Sequence, residues 1–225
     1  MTDEPMPVQE AKAAVRRRLR AQRRKLSVDD LTTRGESLAA VLREVVPAGS
    51  AVTGYLPMPG EPDLRPFLRQ QRRGGGEVYL PVAADPRRRE LQWVAWNEDT
   101  VLKRHEVLPL DEPVGDRIST TELLIRHPGL TVLVPGLAVD ADGARLGQGG
   151  GFYDSTFGPG APSMTAGGAR VGGGVVGHPA HLSPRFLAVV HAEEVFERAA
   201  FPVESHDLRV HGIVTERGAM TVSPL

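Results

Sequence analysis

Arg145, Asp154 and the glycines at 147, 149, 150 and 151 are the residues here whose types and spacing best suit chemistry. Glycines without Cβ let backbone N–H groups approach phosphate oxygens, and a helix starting nearby would add its positive end. Arg145 brings a forked, permanent positive charge beside those amides. Asp154, after the aromatic pair Phe152-Tyr153, is the hard oxygen ligand that Mg²⁺ prefers when it travels with phosphates. Together these residues read as a site for a polyphosphate and a metal. The alternative is a flexible turn, which a bare glycine run also encodes.

The segment is neither G-x-x-x-x-G-K-[ST] nor G-x-G-x-x-G, so neither common nucleotide fingerprint applies. Its order is nevertheless specific. The apolar run Leu130–Val134 leads into Pro135-Gly-Leu-Ala-Val-Asp140, then Gly143-Ala-Arg-Leu-Gly-Gln-Gly-Gly-Gly-Phe-Tyr-Asp154. This string resembles the signature of the 5-formyltetrahydrofolate cyclo-ligase (methenyltetrahydrofolate synthetase) family, with Val139 for a Phe and Phe152 for a Tyr. The resemblance implies ATP binding by Arg145, Leu146, Gly147, Gln148, Gly149, Gly150, Gly151, Phe152 and Tyr153. It implies catalytic roles for Tyr153, Arg145 and Lys12.

The elements that must position these groups can be read along the chain. A helix is expected over residues 8–26, with Lys12 and Arg16 four apart on one face. Its basic run 16–25 has three readings: a solvated face, a nucleic-acid arm, or a phosphate clamp. Lys12-Ala-Ala-Val-Arg16 is similar to the family's opening Lys-x-x-Leu-Arg, which implies that Lys12 and Arg16 contact ATP. Ser27 caps a second helix, 28–46, followed by a strand at 51–56. The Pro/Gly turn 57–62 then opens a helix near residue 63, a βα corner of the kind that holds ligands in α/β proteins. Glu61 in that turn reads on its own as a first-turn acid. Tyr55, Met58 and Glu61 also match the family's Tyr-x-x-Met-x-x-Glu, which implies a folate pocket in which Glu61 accepts pterin N–H groups. Glu112, in the Glu-Pro pair 112–113, is implied to flank the same cleft, and Phe152 to touch the substrate as well.

Strands are expected at 77–82, 91–96, 130–134, 186–190 and finally 211–215. Trp93 and Trp96 read as packing residues. Residues 99–118 read as irregular, Ser119 or Thr120 as the cap of a short helix ending at His127, and 193–196 as a helical turn. The Gly-rich segment 158–177 has little apolar mass to build a core element and reads as a mobile loop. Pro202 to Asp207 is similar to the family's Pro-x-x-x-His-Asp, which implies that Asp207 joins Asp154 at Mg²⁺. Two positions depart from the family: Ser155 stands where Arg is common, and His211 where Asp is. The missing Arg has two readings: weaker phosphate binding, or substitution by Arg170 or Arg185.

The chain has 225 residues, which suits one domain, expected over 8–225 after a disordered 1–7. Apolar content of 40%, charged content of 24% and a net charge of −1 describe an ordinary globular protein with no field to steer it to nucleic acid or membrane. No cysteine is present, which excludes disulfides, thiolate metal sites and a Cys nucleophile. The start of the chain lacks a signal peptide's pattern, and a cytoplasmic location is expected. Alternating helices and strands predict an α/β fold with an open, mainly parallel sheet flanked by helices. The resemblance implies that this is a modified Rossmann type related to sugar-phosphate isomerases and deaminases. It implies ATP and 5-formyltetrahydrofolate as substrates and Mg²⁺ as cofactor, with a monomer or homodimer and no membrane or nucleic-acid partner. Two other readings are a degenerate family member that binds without turnover and a nucleic-acid-binding protein using the basic helix.

Overall fold

The computed structural model describes residues 7–85, 87–106, 110–165, 170–171, 174–175 and 183–222. In chain order the elements are α1 (Val8–Arg23), α2 (Val28–Val45), β1 (Val52–Thr53), α3 (Arg65–Arg73), β2 (Val78–Asp85), β3 (Glu90–Ala95), β4 (Leu102–Arg104), β5 (Asp111–Pro113) and β6 (Arg117–Ser119). Then come α4 (Thr120–Arg126), β7 (Thr131–Pro135), β8 (Ala138–Asp140), β9 (Arg145–Leu146), α5 (Phe152–Phe157), α6 (Pro162–Thr165), β10 (Arg170–Val171) and β11 (Gly174–Val175). The chain ends in β12 (Arg185–Val189), β13 (Val195–Phe196), β14 (Gly212–Thr215) and β15 (Gly218–Thr221).

The main sheet has the order β15-β14-β12-β7-β1-β2-β3-β6. Its five central strands, β14 to β2, are parallel, and antiparallel strands close both edges. This is the α/β architecture expected from the sequence. The alternation of side chains explains why both faces are covered. In β7, Val132 and Val134 join one core while Leu133 joins the other. Phe186 and Ala188 of β12 likewise face away from Leu187 and Val189. One core is closed by α4 and α5 through Leu123, Leu124 and Phe157, and the other by α2 and α3 through Leu38, Leu42, Phe67 and Leu68. Trp93 is fully buried, and its indole N–H donates to Thr120 Oγ1 at 2.9 Å. α1 packs Leu19 on a small second sheet, β13-β8-β9, through Leu137, Ala138, Ala144 and Leu146.

Several expectations are corrected. Residues 99–118, read as irregular, contain the β4–β5 hairpin and the edge strand β6. These strands are short and largely exposed, so no apolar alternation marks them. The strand over 51–56 shrinks to Val52–Thr53; Gly54 N still donates to Tyr79 O of β2 at 2.9 Å, and a Cβ at Gly54 would stand 2.8 Å from Leu68. The turn at 193–196 is a 3₁₀ turn, Ala192–Glu194, followed by β13. The strand at 211–215 is followed by β15, its antiparallel partner. The Gly-rich segment does build structure: Ala161 is buried, α6 follows it, and Met164 packs on the core. β10 and β11 pair as a hairpin, while residues 166–169, 172–173 and 176–177 of the expected mobile loop lie outside the described residues. So do residues 1–6 of the expected disordered N-terminus. Among the described residues, no helix is long and apolar enough to cross a membrane.

Candidate active site

The chain runs outward from β1 to β2, β3 and β6 on one side and returns to β7, β12 and β14 on the other. The order therefore reverses between β1 and β7, the switch point at which open α/β sheets leave a crevice beyond the strands' carboxyl ends. A cavity of about 650 Å³ opens there. Tyr55 and Leu56 after β1, Ala83 on β2 and Pro135 at the end of β7 form part of its wall. Every site residue expected from the sequence lines this cavity: Lys12, Arg16, Tyr55, Met58, Glu61, Glu112, Arg145 to Asp154, and Asp207.

Lys12, Arg16 and Arg20 recur every four residues on α1 and face the cavity together. Arg16 Nε donates to Gly147 O at 2.9 Å, and Arg20 Nη2 to Gln148 O at 2.7 Å. The helix thus holds the glycine loop by its carbonyls, which leaves the loop's N–H groups for a ligand. Gly149 and Gly151 have φ of 102° and 72°, in the region that favours glycine. At Gly147 the constraint is space: a Cβ would stand 2.5 Å from Arg145 Nη1. The helix expected after the loop is α5, of six residues, so its contribution to anion binding is small.

Arg145 is buried beneath this loop, donating Nη1 to Pro135 O at 3.1 Å and Nη2 to Asp154 Oδ1 at 2.7 Å. Asp154 Oδ1 also accepts from Leu208 N. Among the described residues the Tyr153 hydroxyl is buried with no hydrogen-bond partner, and burial pushes its pKa well above the ordinary phenol value. Tyr153 lines the cavity, and a buried O–H donor without an acceptor is a group that calls for a partner.

The Lys12 ammonium bridges Glu204 Oε2 at 2.9 Å and Asp207 Oδ2 at 2.7 Å. Burial works against the Lys12 charge, but these two hydrogen bonds outweigh it and raise the pKa. Burial likewise favours a protonated Asp207, and Lys12 with the Glu204 amide overrides it, holding the carboxyl below its ordinary value. The ligand atoms of Glu204, His206 and Asp207 lie within 4.8 Å of one another. Two carboxylates and an imidazole fit a divalent cation that keeps several of its waters. Asp154 is outside that group; it lines the same cavity, and Oδ1 is committed to Arg145 and Leu208 N.

On the opposite side, Glu61 is buried, accepting from Met58 N at 3.0 Å and from Gln148 Nε2 at 2.8 Å. Tyr55 donates its hydroxyl to Pro62 O at 3.0 Å, fixing the turn that carries Met58 and Glu61. Glu112 accepts from Ala83 N at 2.6 Å, tying the β4–β5 hairpin to β2 beside the cavity.

The two departures noted in the sequence lie outside the cavity lining. Ser155 sits in α5, its N–H bonded to Gly151 O. Arg185 does not substitute for the missing arginine: it caps α2 by donating to Val45 O. The side chain of Arg170 lies outside the described residues. His211 precedes β14, where its Nδ1 accepts from Phe186 N and its ring stacks on Phe186 at 5.5 Å. Burial lowers the His211 pKa from its ordinary 6.5. Its stabilising contribution is therefore complete above that value and is lost as pH falls through the lowered one. His211→Asn should flatten the fall in thermal midpoint below about pH 6.5 and leave turnover unchanged. Melts on either side of that pH check the first expectation, and a turnover assay the second.

Sequence reasoning missed Arg20, Glu204 and Arg89 in the lining. Helical spacing from Lys12 and Arg16 would have found Arg20. Glu204 is three residues before Asp207, close enough for one turn to present both. Arg89 had no signal beyond a charged hairpin tip, and its positive φ of 56° appears only in the fold.

A family model for the 5-formyltetrahydrofolate cyclo-ligase family matches residues 8–216. The chain belongs to that family. It is 28% identical over 218 residues to the 5-formyltetrahydrofolate cyclo-ligase of Mycolicibacterium smegmatis, covering 94% of this chain and 97% of that protein. With the Escherichia coli K12 protein of the same name it shares 30% identity over 141 residues, 62% of this chain and 75% of the relative. The fold is that of the Aquifex aeolicus 5,10-methenyltetrahydrofolate synthetase, with a TM-score of 0.63, 22% identity, and coverage of 94% of this cyclo-ligase family chain and 92% of the other.

Proposed function

We propose that this cyclo-ligase family member converts 5-formyltetrahydrofolate and MgATP into 5,10-methenyltetrahydrofolate, ADP and phosphate. It would do so in the cytoplasm, on free small-molecule substrates, as a monomer or homodimer. The observation that carries this reading is that one cavity is lined by both a cationic glycine loop and a buried carboxylate turn, together with Tyr153, whose buried hydroxyl lacks a partner among the described residues.

The triphosphate would lie on the N–H groups of 147–151, with Lys12, Arg16, Arg20 and Arg145 neutralising its charge. Asp207 and Glu204, with Asp154 beside them, would hold Mg²⁺, which supplies charge neutralisation on the phosphate oxygens. Glu61 would accept pterin N–H groups while Met58 and Tyr55 pack on the ring. Phe152 and Glu112 would close the other side. The formyl oxygen then bonds to the γ-phosphorus as the bond to ADP breaks. N10 bonds to the activated carbon, phosphate departs with the former formyl oxygen, and N10 gives up its proton. The protein's contribution is positioning and charge, as in other phosphoryl transfers. Tyr153 would donate to the oxygen being transferred.

This sequence of bonds predicts where the oxygen goes. With ¹⁸O in the formyl group, mass spectrometry should find the label in inorganic phosphate. Unlabelled phosphate would rule out attack by the formyl oxygen. Glu61→Gln should raise KM for 5-formyltetrahydrofolate about tenfold or more, the loss of one charge-assisted hydrogen bond. KM for ATP should change little, and steady-state kinetics separates the two.

A further inference from the structure

Arg23 ends α1 inside the basic run, yet it is almost fully buried and does not line the cavity. Its Nε and Nη2 donate to the two oxygens of Glu194 at 2.6 and 2.7 Å, and Nη2 also reaches Gly136 O at 2.5 Å. Glu194 is equally buried and accepts from His191 N. A buried ion pair of this kind is often only part of a core. Here one nitrogen is left over. Among the described residues Arg23 Nη1 has no hydrogen-bond partner, and it stands 3.8 Å from Glu61 Oε1, within ion-pair range.

The turn that carries Glu61 is docked on the same group. Gly60 takes φ of 81°, and a Cβ there would stand 3.0 Å from the Arg23 Cβ. The His191 ring, fully buried, places Nε2 3.0 Å from Gly60 O. Three distant segments, the end of α1, the 191–194 turn and the 58–61 turn, therefore meet at one guanidinium. Gln148 and Met58 N supply the two neutral donors to Glu61, and Arg23 is the cation that stands within ion-pair range of its Oε1.

We propose that Arg23, clamped by Glu194, is the positioning residue for Glu61: it fixes the carboxylate's place so that Glu61 can accept N–H groups of the folate ring. This rests on the proposed role of Glu61. Arg23 touches neither substrate, so its effect must pass through Glu61 and be selective for folate.

The test measures 5-formyltetrahydrofolate binding without nucleotide, and binding of a non-hydrolysable ATP analogue, by calorimetry. The proteins are wild type, Glu61→Gln, Arg23→Lys and the pair Arg23→Met with Glu194→Gln. Replacing both partners removes the buried pair without leaving Glu194 as an unpaired charge, a change that buried pairs often tolerate. The double variant should bind folate about tenfold more weakly and the ATP analogue within about twofold of wild type. Adding Glu61→Gln to it should weaken folate binding no further than Glu61→Gln alone, because the effects share one route. Should the double variant not fold, Arg23→Lys decides: it keeps the charge, lacks the third nitrogen, and should weaken folate binding several-fold, again without touching the analogue.

Folate affinity at wild-type level in the Arg23 variants, equal loss for both ligands, or simple additivity with Glu61→Gln would each overturn the inference. If Glu61→Gln itself binds folate normally, the role of Glu61 fails first and the inference with it. If only Glu61→Gln is impaired, the inference alone fails.

Discussion

Arg145→Met is expected to lower kcat by about two to three orders of magnitude, the loss typical of one preorganised donor aimed at developing charge. Arg145 supports the loop from beneath, with its Nη1 where a Gly147 Cβ would otherwise be. It holds Asp154 through a 2.7 Å bond, and its guanidinium carbon lies 5.8 Å from the centre of the Tyr153 ring. One substitution therefore loosens the loop, the acid and the phenol together. Stability should also fall, by roughly 1–3 kcal/mol, because Pro135 O and Asp154 Oδ1 lose a donor. Solvent limits that cost, since the Asp154 side chain keeps 20% of its exposure. Arg145→Lys should restore little, because a single ammonium lacks the fork that reaches Pro135 O from Nη1 and Asp154 from Nη2. Steady-state kinetics and thermal melts of the two variants check both parts. Turnover within a few-fold of wild type in Arg145→Met would remove Arg145 from the machinery.

Lys12→Met should lower kcat by about a hundredfold and raise KM for MgATP, with KM for the folate much less affected. Lys12 now occupies the space between Glu204 and Asp207 that a cation would favour. Without it the two carboxylates face each other unscreened. Added Mg²⁺ should then raise the thermal midpoint of Lys12→Met more than that of wild type, a readout independent of turnover.

The pH profile should shift in a definite sense. Asp207 has a lowered pKa, so in the wild type its contribution is complete above the ordinary carboxylate value and is lost as pH falls through the lowered one. Lys12 has a raised pKa, so its contribution is complete below 10.5 and is lost as pH rises through the raised value. Lys12→Met should flatten or reverse the Asp207 part of the acid limb, because burial then pushes that carboxyl upward without the opposing ammonium, and should remove the alkaline component. An unchanged acid limb would mean that the Lys12–Asp207 bond does not set the Asp207 pKa.

The loop from 143 to 154 was legible because its chemistry demands particular residue types: glycine where a Cβ will not fit or φ is positive, arginine where carbonyl and carboxylate must both be held. The two-sided strands were legible because β7 and β12 each bury four of their five residues, on one face or the other. The β4–β5 hairpin was not, since Leu102-Lys-Arg104 is exposed throughout and pairs through its backbone. The fate of the basic run was not legible either. Arg16 and Arg20 turn to the loop, while Arg23 buries itself against a glutamate 171 residues away. Nothing local distinguishes these arginines except their phase on the helix. Asp154 illustrates a third limit. Its spacing after the glycines pointed to metal, and nothing local announced that the fold would also engage its Oδ1 with Arg145 and Leu208 N. Ser155 and His211 looked like losses of function in the sequence; both fall outside the cavity, so neither favours a degenerate protein over an enzyme.

The most direct test of the whole account is the appearance of the 5,10-methenyltetrahydrofolate absorbance when 5-formyltetrahydrofolate is added to the purified protein, with and without MgATP. Formation of the chromophore that depends strictly on MgATP, with one phosphate released per product, is the predicted result. A folded protein that binds both ligands and yields no chromophore would contradict it.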